Sequence, residues 1–343
     1  MRALGCVVVL VAGCSSQRST APAPPAASAS AAPVVVAVEE AGAPEPDPEP
    51  ERGVDQILPV LGVESSACPT SMGAEARIRC FFDKRYAPDT KAASVAHELW
   101  VKWKVIAGVE PAHTIDGGYR GMIKIEPAVP IHADRKHLEW IAGAMRDFDQ
   151  FFDELARYGA DAGIVSASKR YRVKPITLRF MRSVNGRSPS AYASDWTVAW
   201  NLNGSLHTSA DAVRETLFHE LFHLNDYTHL SPEGSPWSLP VLGGIYKDIV
   251  RQCGATTACL GPFTPNGTMV RGGTYYSFQP GNDVREYAAE LALRYYRDQR
   301  ARLRRLTPEE KPFKCTGQER NRRAWELMRD EFFSGIDAVP ACP

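Results

Sequence analysis

The chain lacks an excess of charge of either sign: its 343 residues carry 40 lysines and arginines against 40 aspartates and glutamates. No basic cluster stands out, so nucleic acid is not an evident partner. It also lacks a long hydrophobic run. The apolar stretch near its start, Val7 to Val11, is far too short to span a bilayer. No internal repeat is visible, which argues against a solenoid or array. Neither a glycine-rich phosphate loop nor a serine-nucleophile elbow is present, so nucleotide hydrolysis and serine-hydrolase chemistry lose their usual signatures. None of the eight cysteines shows the C-x-x-C spacing of a structural zinc site. Histidine is sparse too, at eight residues, which makes the placing of two of them informative.

Those two stand in His219-Glu220-Leu221-Phe222-His223. Residues four apart lie one above the other on a helix face, so both imidazoles can reach one metal ion. The intervening Glu220 projects near the same ion, where a carboxylate can deprotonate a water. The setting reads as a helix over 209–226: Val213, Leu217, Leu221 and Leu224 recur at spacings of four, four and three, one apolar stripe. Thr208 or Ser209 supplies an N-cap, and Thr208 with Asp211 approximates a capping box. The histidines fall on a face away from that stripe. The plainer alternative is a packing helix that two histidines merely decorate.

Catalytic zinc takes three protein ligands, and two residues compete for the third place. One is Glu286, in Asp283-Val284-Arg285-Glu286-Tyr287-Ala288-Ala289-Glu290, where a second helix begins. A glutamate three residues after an aspartate N-cap is also an ordinary capping-box partner. The pair HELFH and EYAAE resembles the glutamate-zincin arrangement, in particular the lethal-factor-like zinc peptidases. The resemblance covers these two short motifs and their order. It implies that Glu286 binds zinc and that Glu290, one turn on, supports a ligand histidine from behind. The rival is His229, because HELFHLNDYTH resembles the metzincin pattern H-E-x-x-H-x-x-G-x-x-H. Asp226 stands where that family has the glycine that turns the chain out of the helix. Met269 lies at a plausible distance for the methionine turn of that family, though its neighbours differ.

A tyrosine just before the second helix would donate to a developing oxyanion, as in the lethal-factor-like family. Tyr276 is the expected residue, with Tyr275 beside it, and aromatic packing in a loop is the alternative for both. Zincins also hold substrate along an edge strand preceding the metal-binding helix. Two segments, 175–180 and 195–201, read as strands, and VNGRSPSAYA between them reads as a loop.

The first residues resemble a bacterial lipoprotein signal. Met1-Arg2 is a short positive region, the apolar run follows, and Val11-Ala12-Gly13-Cys14 resembles a lipobox. This implies cleavage after residue 13, a lipid on Cys14, export, and, with Ser15 and Ser16 following, an address at the bacterial outer membrane or the periplasmic face. Residues 14–53 are rich in alanine, proline and acidic residues and bury almost nothing, so they are expected to form a disordered tether. Six cysteines then remain, Cys68, Cys80, Cys253, Cys259, Cys315 and Cys342. An even number in an exported chain suggests disulfides. Proximity favours Cys68–Cys80, Cys253–Cys259 and Cys315–Cys342, among the fifteen pairings that six cysteines allow.

Residues 54–343 are enough for one large domain or two lobes around a cleft. Asp134 to Tyr158 reads as a helix with a stripe from Leu138 to Leu155. His132 and His137 near its start are expected to be capping or surface residues. The segment 121–126 alternates like a strand, and 319–333 closes the chain as a helix. Arginines 294, 297, 300, 302, 304 and 305 are expected to form the solvated face of the helix that begins near Asp283. The expected architecture is α+β and zincin-like, a small mixed sheet plus the active-site helix with a mostly helical second lobe, the metal-site core spanning about 170–305. The expected activity is a Zn2+-dependent metallopeptidase that acts as a monomer on a peptide or protein substrate. Open alternatives are an inactive zincin used as a binding lipoprotein and a hydrolase of a non-protein amide such as a cell-wall crosslink.

Overall fold

The computed structural model describes residues 52–116, 121–164, 171–173, 175–184, 187–270, 272–307 and 311–343. The signal, the lipobox cysteine and all of the tether up to residue 51 lie outside the described residues. Three helices open the fold: α1 (Val54–Leu61), α2 (Ala74–Tyr86) and α3 (Thr90–Trp103). Strands β1 (Ile106–Val109), β2 (His113–Asp116) and β3 (Met122–Pro127) follow, then the long α4 (Arg135–Asp161). Strands β4 (Thr177–Ser183), β5 (Ala191–Ser194) and β6 (Thr197–Asn201) complete one mixed sheet. Helices α5 (Ala210–Thr228), α6 (Ser238–Cys253), the short α7 (Thr257–Leu260), α8 (Val284–Leu303) and α9 (Gln318–Phe332) make up the rest. The class is α+β.

Strand β4 is the axis of the sheet. One of its edges pairs with β6 in parallel, while the other is shared, β1 in parallel beside its first half and β3 antiparallel beside its second. Beyond β6 lies β5, antiparallel to it and last in the sheet. Asp195 and Trp196, both at positive φ, join the two strands in a two-residue hairpin turn. The end of the expected loop is instead a strand: Ala191, Tyr192 and Ala193 belong to β5, which runs on to Ser194. A run of four residues, Ala-Tyr-Ala-Ser, is too short to show the alternation that marks longer strands.

Helix α4 buries Leu138, Ile141, Met145, Phe148, Phe152 and Leu155 and packs against α3, α5 and α8. Helix α5 departs from a one-stripe helix. From Thr216 to Phe222 every residue is buried, because α4, α8 and the sheet surround it. Phe218 sits in a stack of rings, 4.9 Å from Tyr171 and 4.4 Å from Tyr296 between centroids. Burying such a ring stabilises the fold by about 2–3 kcal/mol, and it fixes the rotation of the helix that carries His219. Ser209 caps α5 by accepting from the Ala212 N–H. Three disulfides, Cys68–Cys80, Cys253–Cys259 and Cys315–Cys342, are the pairings that sequence proximity favours.

Two further expectations are overturned. His137 is not at the surface: it is 1% exposed and accepts from the indole N–H of Trp200 at 3.4 Å. The arginines of α8 are not all solvated either. Arg294 is buried and donates to the Pro265 and Lys311 carbonyls and to Asp298, while Arg300 and Arg304 converge on Asp147 of α4. Guanidinium stems bury readily when their donors find carboxylates and carbonyls.

Candidate metal centre

Helices α5 and α8 pack together, and their facing residues include His219, His223 and Glu286. His219 Nε2 lies 3.2 Å from Glu286 Oε2 and 3.1 Å from His223 Nε2. The third side of this triangle, His223 Nε2 to Glu286 Oε2, is 3.6 Å. Zinc bonds of about 2.0–2.1 Å at tetrahedral angles separate ligand atoms by roughly 3.3 Å. The two imidazoles and one carboxylate therefore form a donor set whose spacing fits such an ion. Among the described residues this is the group of histidine, cysteine and acidic side chains that could hold one.

The local chain explains the convergence. One helical turn separates the histidines, so their rings share a face of α5, where the rings meet edge-on with centroids 4.8 Å apart. Asp283 caps α8 by accepting from Arg285 N–H, and Arg285 closes on the same carboxylate with its guanidinium. The cap is thus complete without Glu286, whose carboxylate turns to the histidines instead of serving a capping box. One turn on, Glu290 Oε1 lies 3.2 Å from His219 Nδ1, the ring nitrogen that faces away from His223.

Burial and charge shape the protons here. Burial alone would lower the pKa of His219, but the bonds to Glu286 and Glu290 outweigh it and hold the imidazole well above its usual value. Burial likewise works to raise Glu286, and His219 and His223 overcome it, holding the carboxyl well below the usual range. A doubly protonated His219 donates Nε2–H to Glu286 and Nδ1–H to Glu290, and a cation among the three donor atoms would displace the Nε2 proton alone. Glu220 behaves differently. It is 8% exposed, and burial pushes its pKa up despite the two histidines. A carboxyl poised above its ordinary range is suited to accept and return a proton.

Tyr276 lies within the same cleft. Its backbone is held by Thr268 and Asn282, and its side chain lines the cleft beside Glu286. Burial, then the charges of Glu286 and Glu220, push its pKa up, so the phenol keeps the proton it can donate. Tyr275 points elsewhere, its hydroxyl lying close over Gly261. The cleft of about 260 Å³ is lined by Ala191, Tyr192 and Ala193 of β5 together with His219, Glu220, His223 and Tyr276. A second cavity of about 440 Å³ shares Ala191, His219, Glu220 and Tyr276 and continues between Leu206, Met269 and Leu293. A larger one, about 740 Å³ at the turn from α2 to α3, holds none of these residues.

His229 does not join the cluster. Helix α5 runs on to Thr228, with Asp226 inside it, so the sharp exit a glycine would permit is not made. Asp226 instead accepts from the N–H and hydroxyl of Ser238, tying α5 to the start of α6. His229 meets the Asn225 carbonyl at 2.8 Å through Nδ1, and its ring packs on Phe332. Met269 is half exposed in a small bridge to Tyr275, beside the second cavity.

Sequence reasoning missed two contributors. The strand facing the cleft is β5, not the 195–201 segment. The other is Asn266, buried at 3% exposure, whose amide donates to the Glu290 carboxylate and carbonyl. In Thr264-Pro265-Asn266-Gly267 an asparagine reads as ordinary turn chemistry, and nothing in the sequence connects it to a histidine far back in the chain. Compared with known proteins, the chain matches no protein-family model, no curated protein and no solved structure.

Proposed function

We propose that this chain is a zinc-dependent metallopeptidase of zincin type, with His219, His223 and Glu286 as the metal ligands. The observation that carries the reading is the triangle of 3.1, 3.2 and 3.6 Å among their donor atoms, with Glu220 in the same cleft. Bound there, a zinc ion would supply Lewis acidity, activating a water and polarising a carbonyl. Glu220 accepts the proton of the attacking water and returns it to the leaving amine. The Tyr276 hydroxyl donates to the oxygen on which negative charge develops. The last strand of the sheet, β5, runs along the cleft with one side unpaired by any strand among the described residues, so an extended peptide can add to it by main-chain hydrogen bonds. That feature favours a peptide substrate over a compact amide.

We propose also that the enzyme is exported and lipid-anchored through Cys14. Three disulfides support an oxidising compartment. Radiolabelled palmitate incorporated by the wild type and not by Cys14→Ser is the expected result; equal labelling would refute the anchor.

Zinc stoichiometry of the purified full-length chain tests the metal reading. One tightly held zinc in the wild type, lost in Glu286→Gln and kept in His229→Gln, is expected, together with cleavage of members of a peptide library. A wild-type protein that binds no zinc sinks the proposal, and loss in His229→Gln alone redirects it to a metzincin-like site.

A further inference from the structure

The metal-ligand reading leaves unexplained why a buried amide and a guanidinium are lined up behind His219. Glu290, 5% exposed, presents Oε1 to His219 Nδ1 at 3.2 Å. Its other oxygen, Oε2, accepts from Asn266 Nδ2 at 3.0 Å, and the same nitrogen is 2.8 Å from the Glu290 carbonyl. An amide nitrogen has two hydrogens, and Asn266 directs both to one residue, one to its backbone and one to its carboxylate. This clamps the Glu290 side chain relative to its own helix. Arg297 donates to Asn266 Oδ1 at 3.2 Å, which sets the amide with its nitrogen toward Glu290. Arg297 in turn lies 3.5 Å from Glu215 of α5. Thr264 holds the Asn266 backbone through its carbonyl at 2.7 Å.

The choice of an amide has a chemical consequence. A guanidinium on Glu290 would neutralise the carboxylate and weaken it as an acceptor for the imidazole N–H. A neutral amide satisfies the second oxygen and leaves the negative charge facing His219. An imidazole that donates Nδ1–H to a carboxylate presents the lone pair of Nε2, the atom within the donor triangle, and presents it more strongly. Orientation is set as well, because Glu290 is itself immobilised.

We propose that Asn266 is a positioning residue for His219, acting through Glu290; this rests on the metal-site reading above. Asn266 touches none of the three ligand side chains directly, so its effect must pass through the carboxylate. That makes the proposal separable from a merely structural role. A structural residue would lower the melting temperature of the metal-free protein independently of Glu290, whereas a relay member loses its effect on the metal once Glu290 is gone.

The test is zinc affinity of the full-length chain, measured by competition with a chromophoric chelator, for wild type, Asn266→Ala, Glu290→Ala, the double variant and Arg297→Gln. Asn266→Ala is expected to weaken zinc about tenfold. The double variant is expected to bind no more weakly than Glu290→Ala alone, the signature of one shared path. Arg297→Gln, a partly exposed site whose fold does not depend on the buried amide, is expected to weaken zinc about threefold. Wild-type affinity in either Asn266→Ala or Arg297→Gln overturns the proposal, as do losses that multiply in the double variant. A wild type without zinc instead removes the metal-site reading, and this proposal with it.

Discussion

Helices α5 and α8 carry two buried charged clusters, and the two differ in one respect. Toward the start of α8, His219, His223, Glu286, Glu290 and Glu220 gather three carboxylates around two imidazoles. Toward its end, Asp147 of α4 meets Arg300, Arg304 and Arg214 and the hydroxyl of Tyr296. Both clusters perturb protonation strongly. Burial works to raise Asp147, but the arginines and Tyr296 overcome it and hold the carboxyl down at about 2. In the Asp147 cluster one acceptor group is surrounded by donors, Arg300, Arg304 and Tyr296 bonding it directly. In the other, donor atoms converge on one point with an excess of negative charge, an arrangement that a cation would complete. A displaced pKa marks both kinds of site, so the functional inference rests on the spacing of the converging donor atoms and not on the shift.

Substitutions can break this comparison in a defined order. Glu220→Gln should abolish peptide hydrolysis, with kcat down about a thousandfold, while zinc content and melting temperature stay at wild-type values. Loss of zinc in that variant would mean the residue holds the site together instead of moving protons. Asp147→Ala should do the opposite, costing about 2 kcal/mol of stability by removing the shared acceptor of partly buried guanidiniums, yet leaving zinc affinity in the folded protein unchanged. Denaturant unfolding and chelator competition on the same sample separate the two.

Tyr276→Phe should lower kcat about tenfold to a hundredfold with little change in KM, since the hydroxyl would act on charge that develops during reaction. Equal kcat would return Tyr276 to packing.

A graded effect concerns pH. Burial chiefly pushes His207 down to about 3 and His137 down to about 4. The unfolded state takes up these protons near the ordinary value of 6.5, so stability is full above that pH. It falls as pH drops from there toward the folded values, by on the order of 5 kcal/mol in full for His207. Thermal melts from pH 7 to pH 4 should show this slope, and His207→Phe, which can keep the stack on Trp200, should flatten it. An unchanged slope would move acid sensitivity to the carboxylate clusters. Last, His229→Gln should leave zinc affinity within about twofold, because its ring faces Phe332.

Legibility in the sequence followed the range of the interaction. The helices with strong period and clear caps, α4, α5 and α8, were readable to within a few residues, since a helix depends on neighbours three and four positions away. Strand β5 was not, because a run of only four residues acquires strand geometry by pairing with β6. The burial of His137 is hidden from the sequence for the same kind of reason, since its contact with Trp200 is long-range. The arginines of α8 were misjudged because the carboxylate they seek, Asp147, is on another helix.

What the sequence determined by itself was the inventory and the spacing: two histidines and a glutamate in helical phase on α5, and an E-x-x-x-E run opening a second helix. Helical geometry is local, so that much needs no tertiary information. Only the tertiary structure decided between Glu286 and His229 as neighbours of the two histidines. That choice depends on how α8 crosses α5 and on Asp226 staying helical to bind Ser238. It also decided what stands behind His219, since Glu290 and Asn266 are brought there by packing between segments that share no local pattern.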